Sequence, residues 1–260
     1  MRLRPLPFAI VFAAAFAFAG AAAAQPASPA APQAAAPTAP FMSPKLPAPT
    51  AAAAAGPRVF ADTGNIFIER GGVKTRLTGS EQDSDPVLAP DGSYVVYTRK
   101  GRGRGLPGYD LGQFCTVAPK PDELRRVNSD GSGDRLLLEG RNGDGEAQLC
   151  DFRSKQFSAD GARLYFLTPG WTTSGALHVY DTRAREQHFV QPANDLLVLN
   201  FCAGQYRDAL AVQQHRYYVF GGSYDWYWLY DAAGKKEIGP LGDFDGPDAV
   251  TKAAQEEWCN

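Results

Sequence analysis

Along most of the chain after residue 57, apolar positions alternate with polar ones or gather in short β-branched and aromatic runs. Residues 65–70 (NIFIER) set Ile66 and Ile68 against Phe67 and Glu69, the two-residue period of a strand. Gly71-Gly72 supplies a two-residue turn, and 73–77 returns as the partner strand. The same alternation between turn signals predicts strands at 93–98, 124–127, 135–138, 163–167, 176–181 and 187–190. It continues at 196–201, 210–213, 216–220, 226–230 and 237–238. Only 247–258 reads as a helix, opened by Pro247 and followed by good helix formers. These elements predict an all-β domain with a short C-terminal helix.

Composition divides the chain before the first strand. Residues 1–24 carry Arg2 and Arg4, a short apolar stretch, and Ala22-Ala23-Ala24 ahead of Gln25, the three parts of a secretory signal peptide. The apolar stretch is broken by small residues and runs into Pro-rich sequence, unlike a membrane span of ~20 apolar residues. In 25–57, 13 Ala and 9 Pro occupy 22 of 33 positions, which removes helix and ladder hydrogen bonds and leaves nothing to build a core. That segment is expected to be a disordered Ala/Pro-rich linker, with 58–260 as the folded domain. The full chain has a formal net charge of −2, and loss of the two leader arginines takes it further negative. A domain of this charge is not built to hold nucleic acid.

Residues 85–98 (DPVLAPDGSYVVYT) and 154–167 (SKQFSADGARLYFL) form an internal repeat. Each places Asp-Gly, at Asp91-Gly92 and Asp160-Gly161, before an aromatic-rich strand; Asp caps the turn and Gly takes its positive φ. The spacing between the copies includes a Gly- and Arg-rich insertion over 101–119. A strand–Gly turn–strand unit precedes each copy, at 65–79 and 124–140.

Leu77-Thr78, Asp85-Pro86, Ala89-Pro90-Asp91-Gly92 and the strand at 94–97 resemble the WD-repeat-like unit of TolB-type β-propellers. Phe157-Ser158-Ala159-Asp160-Gly161 resembles it again, with Ala159 in place of the usual Pro, as Ala89 stands in place of the usual Ser. The likeness covers about 65–100 and 124–167 and fades after Asp181. It implies a propeller in an exported protein and, because these repeats are scaffold, no catalytic residue. At ~40–50 residues per blade, 58–260 has room for four to five blades, hence a small or incomplete propeller.

Candidate chemistry is sparse. Cys115, Cys150, Cys202 and Cys259 all lie in the exported part, and an even count there predicts two disulfides. Of three possible connectivities, Cys115–Cys150 and Cys202–Cys259 are expected, bracing the insertion and the C-terminal tail. No Cys-x-x-Cys or paired His points to zinc, and no cofactor motif is present, so neither a metal nor a cofactor is expected. The turns at 142–146 and 243–248 are acidic enough to be weighed for calcium, but neither completes an EF-hand order. His178 and His188 fall within strands and His215 at a turn; Gly221-Gly222-Ser223 reads as a hairpin turn rather than a nucleophile loop.

Two features are candidates for binding. Arg99, just before the insertion, and Arg102 and Arg104 within it could meet acidic or phosphate groups. Tyr224, Asp225 and Trp226 sit in an aromatic cluster running from Tyr217 to Tyr230, rich in the rigid amphipathic side chains favoured at interfaces. Loops at 101–119, 139–150 and 221–225 are the expected contact surfaces. The expectation is a periplasmic or secreted propeller that binds a protein or cell-envelope component and is not an integral membrane protein once its signal is cleaved. The alternative is a hydrolase or lyase with a site in the propeller channel.

Overall fold

Asp91-Gly92 and Asp160-Gly161 turn the chain as their chemistry dictates. In the computed structural model, which describes residues 56–101, 121–143 and 145–259, the two glycines have φ of 70° and 69°. Asp91 Oδ1 accepts from the backbone N–H and hydroxyl of Ser93, and Asp160 Oδ1 from the N–H of Ala162 and the hydroxyl of Ser158. Each turn joins the first two strands of a sheet. The repeat therefore marks where a blade begins.

Four antiparallel meanders follow one another. The first has three strands, β1 (Arg58–Asp62), β2 (Asn65–Arg70) and β3 (Val73–Arg76). The second comprises β4 (Asp83–Leu88), β5 (Tyr94–Arg99), β6 (Glu123–Asn128) and β7 (Arg135–Glu139). The third comprises β8 (Arg153–Phe157), β9 (Arg163–Thr168), β10 (Gly175–Asp181) and β11 (Glu186–Ala193). The fourth comprises β12 (Asp195–Val198), β13 (Leu210–Tyr217), β14 (Ser223–Tyr230) and β15 (Glu237–Gly242). Helix α1 (Pro247–Ala253) widens into a π turn over Ala254–Trp258.

The sheets stack face to face because their central strands are apolar on both sides. Val95 and Tyr97 of β5 pack with Ile66 and Ile68 of the first sheet, while Val96 packs with Phe157, Leu164 and Phe166 of the third. On β9, Leu164 and Phe166 face the second sheet, and Tyr165 and Leu167 face Leu196, Val198 and Leu210 of the fourth. The outer face of the fourth sheet, through Tyr227 and Leu229, meets Val250 and Ala254 of the C-terminal helix. The first strands β4, β8 and β12 stand beside one another. Among the described residues this is an all-β, incomplete propeller of four blades, with a helix covering the fourth.

The first blade is short by one strand. The turn at Gly71-Gly72 between β2 and β3 corresponds to the 128–133 turn between β6 and β7, so β1 corresponds to β5 and no counterpart of β4 precedes it among the described residues.

β1, β4 and β8 are strands that the hydrophobic pattern does not announce. β4 and β8 lack alternation because each is broken by a bulge at the same repeat position, between Ser84 and Val87 and between Arg153 and Gln156. Asp85 and Ser154 sit in these bulges with φ of 48° and 49°. Pro86 is tolerated there because a bulged residue leaves the ladder. β13 corrects another expectation: 210–213 and 216–220 are one strand ending at Tyr217, and His215 lies inside it rather than at a turn. The strand expected over 196–201 ends at Val198.

Cys202 and Cys259 form a disulfide that ties the end of the helix to the loop after β12. Cys150 is buried and disulfide-bonded. Its expected partner, Cys115, lies outside the described residues, as do residues 1–24, expected as a signal peptide, nearly all of the expected linker, and Arg102 and Arg104. No helix among the described residues is long and apolar enough to cross a membrane.

Candidate functional site

The hairpin β13–β14 changes character along its length. Its root is core: Tyr227 is fully buried and donates to Asp195 Oδ2 at 2.7 Å, and Leu229 and Tyr230 are buried on opposite faces. Its middle is a polar clasp. The Arg216 guanidinium lies 3.5 Å from the Trp228 ring centroid and donates to Glu237 Oε2 at 2.6 Å and Tyr230 Oη at 2.8 Å. Arg216 and Tyr230 hold the Glu237 carboxyl below its usual range. Its tip is bare: Tyr217, Tyr218, Val219 and Phe220 are all exposed, Val219 at 92% and Phe220 fully.

Local chemistry explains the tip. Gly221 and Gly222, with φ of 100° and 86°, reverse the chain, and the Gly221 N–H donates to the Tyr218 carbonyl. The ladder ends at the Tyr217–Ser223 pair, so Tyr218 to Gly222 form the loop. Tyr218 packs on Tyr224 at 4.7 Å between centroids, and Tyr224 packs edge-on against Trp226 at 5.1 Å. Three rings thus form a ladder on one face, ending at the apolar Val219-Phe220 apex.

The predicted binding residues separate accordingly. Tyr224 and Trp226 share this face and touch. Asp225 points the other way and accepts from His215 Nδ1 at 2.9 Å. The aromatic signal was present in the sequence, but the most exposed residues, Val219 and Phe220, read there as the end of a strand. An apolar run entering a Gly-Gly turn looks the same whether or not another blade covers it.

His215, Asp225 and Ser223 lie on one face, the three residue types of a hydrolytic triad. The geometry is not that of one. Tyr217, cross-strand partner of Ser223, packs edge-on against the His215 ring at 5.1 Å, and Ser223 makes no hydrogen bond to it. His188 pairs with Glu186 on the exposed part of β11. His178 is core, stacked on Phe166 and bonded to Thr168 Oγ1 and the Gln187 side chain. Burial, with the Arg141 charge adding to it, pulls His178 down to about 4. No group of three or more His, Cys, Asp or Glu side chains gathers in a metal-holding arrangement among the described residues.

Arg99, expected to be available to a phosphate, is engaged instead. It grips Asp83 with two hydrogen bonds and reaches Asp134, which also takes Arg125 and the Tyr97 hydroxyl. These contacts close the β4–β5–β6 edge beside the insertion.

No protein-family model and no curated protein sequence matches the chain. Solved structures similar to it include the β-propeller domain of the Trilobed protease from Pyrococcus furiosus, at 14% identity over 70% of this chain and 48% of that one, with a TM-score of 0.42. Oligogalacturonate lyase from Vibrio parahaemolyticus is 13% identical over 70% of this chain and 43% of that one, TM-score 0.46. TolB from Acinetobacter baumannii is 12% identical over 71% and 41%, TM-score 0.43. The chain spans less than half the length of each, and their chemistries differ from one another. Its own sheet order and repeat carry the fold assignment.

Proposed function

We propose that this chain is an exported binding module that docks a protein partner of the cell envelope through the tip of the β13–β14 hairpin. The observation that carries the reading is the full exposure of Phe220 beside Val219 at the apex of a braced hairpin. Burying two such side chains in a partner would contribute about 4 kcal/mol, and the rigid two-stranded support lowers the ordering cost of binding. An aliphatic-aromatic apex suits an apolar protein socket, while the flanking Tyr218, Tyr224 and Trp226 supply amphipathic contact area around it. The signal-like leader, the Ala/Pro linker and the Cys202–Cys259 disulfide support an oxidising, exported setting.

The test is cross-linking in intact envelopes with a photoreactive residue at position 220, compared with one at exposed Val73 on the first blade. A discrete adduct from position 220, lost in a Trp226→Ala, Tyr224→Ala background, is expected. Adducts of equal yield from both positions, or none from 220, would overturn the reading.

A further inference from the structure

A cavity of about 180 Å³ opens between the second and third blades, lined by Tyr94, Arg126 and Arg135 on one side and Leu164, Tyr180 and Arg185 on the other. Arg126 and Arg135 stand directly opposite each other in the β6–β7 register. Like charges in that position repel. Elsewhere this chain pairs its core-flanking arginines with carboxylates: Arg99 with Asp83, Arg125 with Glu123, Arg216 with Glu237. Among the described residues, no carboxylate forms an ion pair with Arg126, Arg135 or Arg185. Two acids of the adjoining turns are engaged locally, Asp91 with Ser93 and Asp181 with the N–H groups of Arg183 and Ala184.

Arg126 stacks on Tyr94 and has no ion-pair partner among the described residues. Its guanidinium lies 3.8 Å from the Tyr94 ring centroid, and its Nε is buried without a hydrogen-bond partner. Its one side-chain hydrogen bond, to Asn128 Oδ1, is long at 3.4 Å. Burial and the neighbouring Arg135 and Arg185 charges lower its pKa, against the opposing influence of Tyr94 and Asp91. The hydroxyls of Tyr94 and Tyr180 also make no hydrogen bond to protein among the described residues. A buried donor without an acceptor carries a cost that a bound acceptor removes.

We propose that this cleft binds a small multivalent organic anion, bearing phosphate or carboxylate groups, through Arg126, Arg135 and Arg185. Planar guanidinium forks match both oxyanions. The cavity holds about six water volumes, room for one phosphoryl group or a small polycarboxylate. The apolar floor at Leu164 and the tyrosine rings would contact its carbon body. The proposal does not depend on the hairpin tip, which lies on the fourth blade.

Titration calorimetry of the full chain with inorganic phosphate and with citrate, at low and high sodium chloride, tests it. Saturable one-to-one binding of at least one probe is expected, weakened by salt. Arg135→Gln and Arg185→Gln, both at exposed positions, should each weaken it about tenfold, while Arg207→Gln on the fourth blade leaves it unchanged. Preference for phosphate would assign a phosphoryl ligand, and preference for citrate a carboxylate one. In the absence of either probe, Arg135→Gln should melt no lower than the parent, because it relieves repulsion. No binding of either probe by the parent at about 5 mM, or equal binding by the variants, would overturn the proposal.

Discussion

Lys155 of the third blade buries its ammonium against Asp85 of the second, and Asp85 sits in the bulge whose repeat counterpart is Ser154, the neighbour of Lys155. The two bulges that break β4 and β8 are thus the points at which adjacent blades are bolted together. Lys155 also donates to Thr98 Oγ1 at 2.9 Å and to the Phe152 carbonyl at 2.7 Å. Its side chain is 1% exposed, whereas that of Asp85 is 53% exposed. Burial lowers the Lys155 pKa, and the Asp85 charge opposes that.

This asymmetry predicts unequal costs for the two halves of the pair. Asp85→Asn keeps a residue that tolerates positive φ but leaves a buried ammonium without its counter-ion, costing about 2 kcal/mol after allowance for solvent at Asp85. Lys155→Met removes the charge, and Thr98 still bonds the Phe152 carbonyl, so the loss should be about 1 kcal/mol or less. Urea midpoints of the two variants measure the difference. A larger loss for Lys155→Met would mean that the ammonium is itself net stabilising.

His178 makes stability depend on pH. The unfolded chain protonates this imidazole near 6.5, while the fold resists until about 4. Between those values the unfolded state binds the extra proton, so stability falls as pH falls, by about 3 kcal/mol in all from this side chain. His178→Gln should be less stable than the parent at pH 7 through lost stacking on Phe166. Its unfolding free energy should then decline less steeply from pH 6.5 to 4. Parallel pH profiles of parent and variant would remove His178 as the cause.

The Cys202–Cys259 bond closes a span of 57 residues. On chain entropy alone its loss costs about 4 kcal/mol. Cys202→Ser with Cys259→Ser should lower the urea midpoint and expose the helix, which covers Tyr227 and Leu229, to proteolysis. Limited digestion with mass analysis of the C-terminal fragments reads this directly. An unchanged cleavage pattern would show that Val250 and Ala254 hold the helix unaided.

Tip and root of the β13–β14 hairpin should separate binding from folding. Phe220→Ser should change stability by no more than about 0.5 kcal/mol while abolishing envelope cross-linking from neighbouring positions. Tyr227→Ala, at the buried root, should cost about 3 kcal/mol or more. Thermal melts of both variants decide the point, since a destabilised Phe220→Ser would make the tip part of the fold.

Much of the architecture is legible without coordinates. Alternation or β-branched and aromatic runs between turn signals located the second and third strands of every sheet. The Asp-Gly repeat marked the first turn of the second and third blades, since an Asx-capped turn with positive φ is encoded within four residues. The first strands β4 and β8 escaped, as bulges and polar anchors such as Lys155 erase the period, and the short β1 escaped beside the Ala/Pro-rich segment. At the candidate site, residue type drew Tyr224, Asp225 and Trp226 into one group, and the strand pleat divides them: Tyr224 and Trp226 share a face, while Asp225 faces His215 across the ladder.

The sequence by itself determined most strands and turns, the repeat and the compositional split, which follow from short-range spacing and residue chemistry, while it left the cysteine pairing open among three connectivities that the fold resolves for Cys202 and Cys259. Tertiary structure alone decided which apolar residues stay bare, that the last blade is covered by a helix instead of a fifth sheet, and that Arg126 faces Arg135 without a carboxylate between them. Alternation states that two faces exist; what covers each face is set by residues far away in the chain, and so are the charges that meet there.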